Sequence, residues 1–325
     1  MTLNLPYRIA AAVSLGCVLA AAVNVEQWAS TLGGAAKKDA KGAIVELSFR
    51  STWIADADLK PIAALPSLRV LDLSHTRVTD VGFQDLKTLG SVEDLNLYYA
   101  EQTGDGALAV LKNWKRLKRL NLRGTKVTDL GVAQLANHPA LESIDVGYSL
   151  FTDNGFEPLT QIPNLKRMAV GGNKVTDVGL NLVRLIPSLT SLDLSGAQRT
   201  DSGMWSASIT DKGLETIGQL RKLQELNLRS AKITDAGMSQ LSSLVALLDL
   251  DLGQTAITAA GLKALSALRQ MEKLCLYKCE RLDDAAVETL VGLGKLKWLD
   301  VEGTGITDAG MAKLRTALPG CRVQK

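Results

Sequence analysis

The sequence predicts an α/β solenoid, a right-handed coil with a parallel sheet on its concave side and helices on its convex side. A sequence motif rich in aliphatic residues recurs from Ile44 almost to the end of the 325-residue chain. Its copies follow one another every 24 or 25 residues, apart from a single interval of 34. Hydrophobic residues make up 46% of the chain but aromatic residues only 4%, as expected when each layer of a core repeats one aliphatic pattern.

The strands of this sheet are predicted from the most regular copy of the motif, residues 68–89. Leu71 and Leu73 flank Asp72, so a short strand places both leucines in the core and the aspartate on the opposite face. The residues equivalent to Leu71 are Leu47, Leu71, Leu95, Leu120, Ile144, Met168, Leu192, Leu226, Leu250, Leu274 and Leu299. Eleven copies in one phase predict about eleven repeats in one domain spanning residues 44–325, with a last helix near Leu314 and a closing strand at residues 321–323.

A helix is predicted to begin after each strand. Thr79 is placed to cap it, Asp80 lies at its positive N-terminal end, and Val78 can pack against Phe83 across the cap. The Thr-Asp pair recurs in most copies, so it is interpreted as a capping device and not as a catalytic pair. A column of mostly small residues is expected to turn inward between strand and cap: Thr52, Thr76, Ala100, Thr125, Ser149, Asn173, Ala197, Ala231, Thr255, Cys279 and Thr304.

An LxxLxL phrase with a period of 20 to 29 residues is the signature of leucine-rich repeats. Residues 44–323 resemble the bacterial leucine-rich-repeat proteins with T-x-V-T-D-x-G-L-x-x-L units, relatives of the ribonuclease-inhibitor type. Residues 276–284 are also similar to the repeats of F-box ubiquitin-ligase adaptors. The stretch of about 20 residues between an expected signal peptide at residues 1–22 and Ile44 is too short for an F-box, so the adaptor role does not carry over. The resemblance implies protein or glycan binding through the concave face and loops.

The first residues are predicted to form a targeting segment. Residues 1–22, with Arg8 before an Ala-rich apolar run, are interpreted as a secretory signal peptide. The alternatives are an uncleaved membrane anchor and lipidation at Cys17; membrane contact is expected only through this segment. Residues 23–43 are expected to form a polar linker. Each alternative predicts an extracytoplasmic protein, either periplasmic, envelope-attached or secreted.

The charge pattern argues against nucleic acid as the ligand of the concave face. The predicted concave positions hold ten acids: Glu46, Asp72, Asp94, Asp145, Asp193, Glu225, Asp249, Asp251, Asp300 and Glu302. They hold six bases: Arg50, Arg119, Arg123, Arg167, Arg229 and Lys273. The face is therefore acidic although the chain carries a net charge of +3, whereas a nucleic-acid surface needs clustered cations.

Three groups of residues are candidate binding sites, because Tyr, Trp and Arg are enriched at interface hot spots. The first group is Tyr98, Tyr99, Arg119, Arg123 and Tyr148; the second is Lys273, Tyr277, Trp298 and Glu302. The third is a loop at residues 196–208, created by the 34-residue interval and containing Arg199, Met204 and Trp205. Insertions in repeat proteins often lie on the binding face, although a tolerated loop with Trp205 folded back is an equal alternative.

No catalytic, cofactor or metal site is predicted. His75 and His138 are expected on different sides of the coil, and no CxxC pair or glycine-rich phosphate loop is present. The preferred interpretation is therefore a non-catalytic scaffold that binds a protein. The alternatives are a carbohydrate-binding solenoid, using Tyr98, Tyr148 and Trp205 as stacking surfaces, and an effector or ubiquitin-ligase adaptor.

Overall fold

The computed structural model describes residues 24–201 and 203–325, and within them the repeats stack into one curved sheet backed by short helices. The strands of the main sheet are β1 (Ala35–Lys38), β2 (Ile44–Ser48), β3 (Val70–Asp72), β4 (Asp94–Asn96), β5 (Arg119–Asn121), β6 (Ser143–Asp145), β7 (Arg167–Ala169), β8 (Ser191–Asp193), β11 (Glu225–Asn227), β12 (Asp249–Asp251), β13 (Lys273–Cys275), β14 (Trp298–Asp300) and β15 (Arg322–Gln324). Two further strands, β9 (Ala197–Thr200) and β10 (Gly203–Ser206), form a separate hairpin. Within the main sheet, each strand from β2 onward pairs in parallel with the strand of the next coil, as predicted.

The helical side of the coil is built from short segments. The α-helices are α1 (Val25–Thr31), α2 (Asp80–Phe83), α3 (Asp105–Leu111), α4 (Asp129–Ala133), α5 (Phe156–Thr160), α6 (Asp177–Leu180), α7 (Asp211–Ile217), α8 (Asp235–Met238), α9 (Ala259–Leu262), α10 (Val287–Val291) and α11 (Asp308–Ala317). 3-10 helices cover Asp56–Asp58, Lys60–Ala64, Gln84–Leu86, Asp153–Gly155, Asn181–Leu185, Ser239–Ser243, Lys263–Ala267 and Asp284–Ala286. None of the described helices is long and apolar enough to cross a membrane. The predicted signal or anchor at residues 1–22, with Cys17, lies outside the described residues.

The prediction of a polar linker at residues 23–43 is wrong for residues 25–31 and 35–38, which form a helix and a strand. Helix α1 and strand β1 fold onto the first coil, where β1 pairs antiparallel with β2. The Trp28 ring packs edge-on against Phe49 with their centroids 5.2 Å apart, and Ala29 is fully buried. The first coil of a solenoid exposes an unpaired strand edge and an open core, so a capping unit is needed there.

The aspartates at the helix starts have a role beyond the predicted interaction with the helix dipole. Asp105 Oδ1 accepts the backbone N–H of Thr128 at 2.8 Å, and its Oδ2 accepts the Thr128 hydroxyl at 2.6 Å. Thr128 in turn caps α4 by accepting the N–H of Leu130. The same aspartate-to-threonine contact joins seven further coil pairs: Asp56–Thr79, Asp129–Thr152, Asp153–Thr176, Asp177–Thr210, Asp211–Thr234, Asp235–Thr258 and Asp284–Thr307. We call this series the aspartate ladder; it joins successive coils on the loop side.

The aspartate ladder departs from this pattern at two coil junctions. Between the second and third coils, Gly104 replaces the threonine and donates only its backbone N–H to Asp80 Oδ1 at 2.7 Å. Between the ninth and tenth coils, the aspartate itself is replaced. Ala259 stands where the other repeats carry aspartate, and in the next coil Asp283 replaces the threonine cap. Asp283 caps its own 3-10 helix by accepting the N–H of Ala285 at 3.0 Å. An aspartate at position 259 would face the Asp283 carboxylate, so the alanine avoids placing two negative charges together.

Candidate functional site

The concave face of the sheet is formed by three columns of residues that point away from the leucine core. Residues equivalent to Val70, Asp72 and Ser74 alternate with the buried leucines of each strand. At the middle coils the column of Ser74 contains only small residues, Gly147, Gly171 and Ser195. The small side chains leave room there for long side chains from neighbouring coils to lie across the sheet.

Arg123 uses this room to lie across two coils. Its Nη1 is 3.5 Å from Asp145 Oδ2 and 4.0 Å from Asp193 Oδ2, and the guanidinium carbon lies 4.5 Å from the centroid of the Tyr148 ring. A Cβ atom at Gly147 would approach Nη1 to 2.7 Å, so a side chain at this position would displace the arginine. Burial opposes the charge of Arg123, but Asp145 and Asp193 outweigh it and hold its pKa above the ordinary value.

Arg229 repeats this arrangement four coils later. Its Nε donates to Asp251 Oδ2 at 3.0 Å, its Nη2 donates to Cys275 Sγ at 3.2 Å, and it lies over the Tyr277 ring at 5.2 Å. Gly253 occupies the place of Gly147. Cys275 is buried under this guanidinium, and burial raises the pKa of its thiol to about 12, which disfavours the reactive thiolate form at neutral pH.

Between the two arginines lies a depression of about 380 Å³ on strands β6, β7, β8, β11 and β12. Its polar walls include Asp145, Arg167, Asp193, Glu225 and Asp249. Arg167 Nη2 donates to Glu225 Oε2 at 2.7 Å, and this hydrogen bond lowers the pKa of Glu225. Asp249 pairs at 3.2 Å with Lys273. Most carboxylates of the face therefore already have a cationic partner, while Asp193 is reached only by the 4.0 Å contact.

The insertion forms a β-hairpin instead of an irregular loop. Strands β9 and β10 pair antiparallel from Ala197–Ser206 to Thr200–Gly203. Gln198 Nε2 donates to the carbonyl of Ser149 at 2.8 Å, which ties the hairpin to a coil two positions earlier. Arg199 is exposed, Trp205 is half-buried, and Met204 is 72% exposed. Ala197 is exposed, so its prediction as an inward residue is wrong; Ala207, 5% exposed, takes that place because the hairpin precedes it.

The structure brings the predicted site residues together only in part. Arg119 does not join the tyrosines, since its Nε pairs at 2.8 Å with Asp94 at the other end of the strands. Tyr148 fills the space above Gly172 and reaches Gly196 at the base of the hairpin, while Arg123 lies on its ring. This ring is therefore enclosed, and its predicted use as a sugar-stacking surface is not supported by its surroundings.

Tyr98 and Tyr99 form an aromatic group that includes a residue missed by the sequence analysis. The His75 ring is 5.2 Å from Tyr98 and stacks at 5.7 Å on Tyr99. Tyr99 has a left-handed backbone (φ 51°), and its ring covers Gly124 of the next coil. Because Tyr99 covers Gly124, Tyr98 and His75 are the members of the group that are more accessible to a ligand.

The second predicted cluster is divided between the two ends of the strands. Lys273 and Trp298 are paired in register at the strand starts. Tyr277 lies beyond the strand end, between Arg229 and Lys278, and Glu302 is in the neighbouring coil on that side. The cluster is thus two separate surfaces, because residues four apart along a strand and its turn are too far apart to share one.

Sequence reasoning also missed two loop-edge residues. Trp53 is 78% exposed, and the guanidinium carbon of Arg77 lies 4.3 Å from its ring centroid. The available signal was a tryptophan at a repeat position that elsewhere carries exposed polar side chains such as Lys126 and Lys174.

The candidate metal-binding and nucleophilic side chains of the described residues lie in different surroundings. No three His, Cys, Asp or Glu side chains of residues 24–201 and 203–325 are placed to hold a metal ion. His138 is buried in the core with Nε2 3.1 Å from the Trp114 carbonyl, whereas His75 is exposed on the loop side. Cys279 is buried, and burial raises the pKa of its thiol.

Comparisons with known proteins agree with this architecture. The leucine-rich-repeat family matches at residues 64–86 and 219–242. An internalin (inlF) of Listeria monocytogenes has a similar structure, with a TM-score of 0.59 and 20% identity over 91% of this chain and 92% of the internalin. The chain therefore folds as an α/β solenoid of the leucine-rich-repeat type, and its repeats are similar to those of bacterial leucine-rich-repeat proteins.

Two other solved structures are less similar to this chain than the internalin inlF. An internalin C2 (inlC2) of Listeria monocytogenes is 21% identical, with a TM-score of 0.43 over 72% of this chain and 80% of the internalin. A plant peptide hormone receptor, RGFR1 in complex with RGF2, is 13% identical, with a TM-score of 0.48; this chain covers 48% of the receptor. No curated protein sequence matches the chain.

Proposed function

We propose that the protein is a non-catalytic scaffold that recognises a protein partner through the middle of its concave face and the hairpin at residues 197–206. The observation that carries this proposal is the contact between the two surfaces: Tyr148 packs beneath Arg123 on one side and against Gly196 at the hairpin base on the other. A partner seated on the depression therefore also meets the hairpin.

The charges of this surface favour a folded protein surface as the ligand. Arg123, Arg167 and Arg229 are each paired with carboxylates, so the middle of the face presents fixed pairs of opposite charge within a face that is acidic as a whole. Such a pattern gives specificity through electrostatic complementarity. Met204 adds an exposed apolar side chain at the edge, the kind of group that adapts to a partner surface.

The leucine-rich-repeat fold supports binding as the general role. The proposal includes an extracytoplasmic partner, on the strength of the signal-like residues 1–22.

The proposal is tested by site-specific photocrosslinking. A photoreactive amino acid replaces Met204 in one variant and Val245, 59% exposed on a return turn, in a matched variant. Both variants are incubated with an envelope extract of the source organism, and crosslinked proteins are identified by mass spectrometry. One protein crosslinked through position 204 and absent at position 245 supports the proposal. Equal crosslinking at both positions, or none at position 204, contradicts it.

A further inference from the structure

One position of the repeat forms a continuous line along the loop edge of the solenoid. This position lies between the inward small residue and the apolar residue that precedes the helix cap. At most of its members the backbone N–H donates to the preceding coil, as from Lys126 to the Thr103 carbonyl at 2.8 Å and from Lys232 to the Ile209 carbonyl at 2.8 Å. Neighbouring members of the line are therefore roughly one strand spacing, ~4.8 Å, apart.

Every second member of this line is a cation. The cations are Arg77, Lys126, Lys174, Lys232 and Arg281. The positions between them hold Gln102, Leu150, Ser208 and Ala256. We call the five cations the cationic edge; at two coils per charge they are spaced by roughly 10 Å.

The cationic edge differs from the concave face in that its charges are not neutralised. In the described part of the chain, none of the five cations lies within 4.0 Å of a carboxylate oxygen, whereas Arg119, Arg123, Arg167 and Arg229 all do. Lys126 and Lys174 are exposed, and Lys232 Nζ contacts only the Ser208 hydroxyl at 3.3 Å. These charges are available to a ligand.

An aromatic surface lies at the first end of the cationic edge. Trp53 occupies the same repeat position in the first coil, beside Arg77. A groove of about 270 Å³ runs between Trp53 and His75, with Ser51 and Thr52 on its wall. A flat, electron-rich ring beside hydroxyl groups is suited to the C–H face and the hydroxyls of a sugar ring.

We propose that the cationic edge binds a linear acidic polysaccharide, with a terminal sugar ring stacked on Trp53. An extended polysaccharide that carries one carboxylate in every two sugar rings repeats its charge on the length scale of two coils. Gln102 and Ser208, between the cations, can hydrogen-bond to the intervening neutral sugars. This binding is separate from the proposed protein recognition, because the cationic edge and the concave face are different surfaces.

The spacing favours a polysaccharide over nucleic acid. Duplex DNA carries one charge in about 1.7 Å of its axis, and proteins that bind it neutralise many phosphates with clustered Lys and Arg. One cation in roughly 10 Å, in a single line, leaves most phosphates unpaired.

The test measures binding of a hyaluronan decasaccharide, which carries one carboxylate per disaccharide, to the protein by calorimetry at low and at moderate salt. The double variant Lys126→Gln, Lys174→Gln removes two charges from the cationic edge. The control double variant Lys263→Gln, Arg269→Gln removes two exposed charges elsewhere, so the net charge is matched. A Trp53→Ala variant tests the aromatic end, and a carboxyl-reduced decasaccharide and a single-stranded thymidine dodecamer serve as competing probes.

The proposal expects at least a tenfold loss of affinity in the edge variant, less than a twofold loss in the control, and a loss in Trp53→Ala that persists at moderate salt. It also expects weak binding of both the reduced sugar and the dodecamer. Equal losses in the edge and control variants overturn it, since they indicate non-specific attraction. Absence of binding at low salt, or tighter binding of the dodecamer than of hyaluronan, also overturns it.

Discussion

Asp177 accepts two hydrogen bonds from Thr210, a residue 33 positions later, at 3.0 Å from its amide and 2.6 Å from its hydroxyl. The other aspartate–threonine pairs of the aspartate ladder are 23 residues apart. The contact therefore has the same geometry across the 34-residue interval that contains the hairpin. It shows that the ten residues of the hairpin leave the solenoid and return to it without altering the stacking of the coils.

Deleting residues 197–206 should therefore leave the solenoid intact. The deletion joins Gly196 to Ala207 and restores the spacing of the neighbouring repeat, Gly172 followed by Asn173. We expect the free energy of unfolding, measured by urea denaturation, to change by about 1 kcal/mol or less, as for other surface changes. A control deletion of residues 221–230, which removes β11, should prevent cooperative unfolding. A loss of several kcal/mol in the hairpin deletion would show that the hairpin is part of the core.

The aspartate ladder should contribute measurably to stability. Asp153→Ala removes two acceptors and leaves the partly buried Thr176 N–H without its 2.7 Å partner. We expect a loss of about 1–3 kcal/mol in the free energy of unfolding, the cost of an unsatisfied buried donor. Asp201→Ala, on the exposed hairpin turn, is the matched control and should have little effect. Equal stabilities of the two variants would refute the structural role of the aspartate ladder.

The glycine that lies two residues after most of the helix starts should not tolerate a side chain. A Cβ at Gly131 would lie 2.2 Å from Asp105 Oδ1, the atom that accepts the Thr128 N–H. Gly131→Ala should lower the free energy of unfolding by about 1–3 kcal/mol through overpacking. Gly294→Ala, where a Cβ meets no atom within 4 Å, should be neutral in the same urea titration. Similar midpoints for the two variants would contradict this packing.

Mild acid should weaken the fold through one histidine. His138 Nε2 donates to the Trp114 carbonyl while the ring is buried, and burial lowers its pKa. An unfolded histidine has a pKa of about 6.5, so the stability due to neutral His138 is complete above that pH and is lost as the pH falls towards the lower folded value. We expect the urea midpoint to fall between pH 7 and pH 5.5.

The two histidines provide their own control for this pH effect. In His138→Gln the fall in midpoint should become smaller, because the titrating group is absent. In His75→Gln it should persist, since His75 is exposed. An unchanged pH dependence in His138→Gln would assign the effect to other groups.

The repeat pattern predicted the strands, the helix caps and the place of the insertion, because each is specified by residues that recur in phase. It failed for α1 and β1, since the capping unit at residues 25–38 occurs once and has no second copy to compare. The pairing of Arg119 with Asp94 and the enclosure of Tyr148 depend on the side-chain directions in neighbouring coils. The aligned sequences of the repeats do not specify these directions. The sites were therefore predicted less completely than the fold.

The central claim is that the hairpin and the concave face form one protein-binding surface. The most direct measurement is the affinity of the partner crosslinked through position 204 for the wild-type protein and for the deletion of residues 197–206, by calorimetry with purified components. Since a few side chains dominate an interface, we expect the deletion to lose at least tenfold in affinity, about 1.4 kcal/mol, while keeping its urea midpoint. Equal affinities of the two proteins would contradict the claim and assign the hairpin no part in recognition.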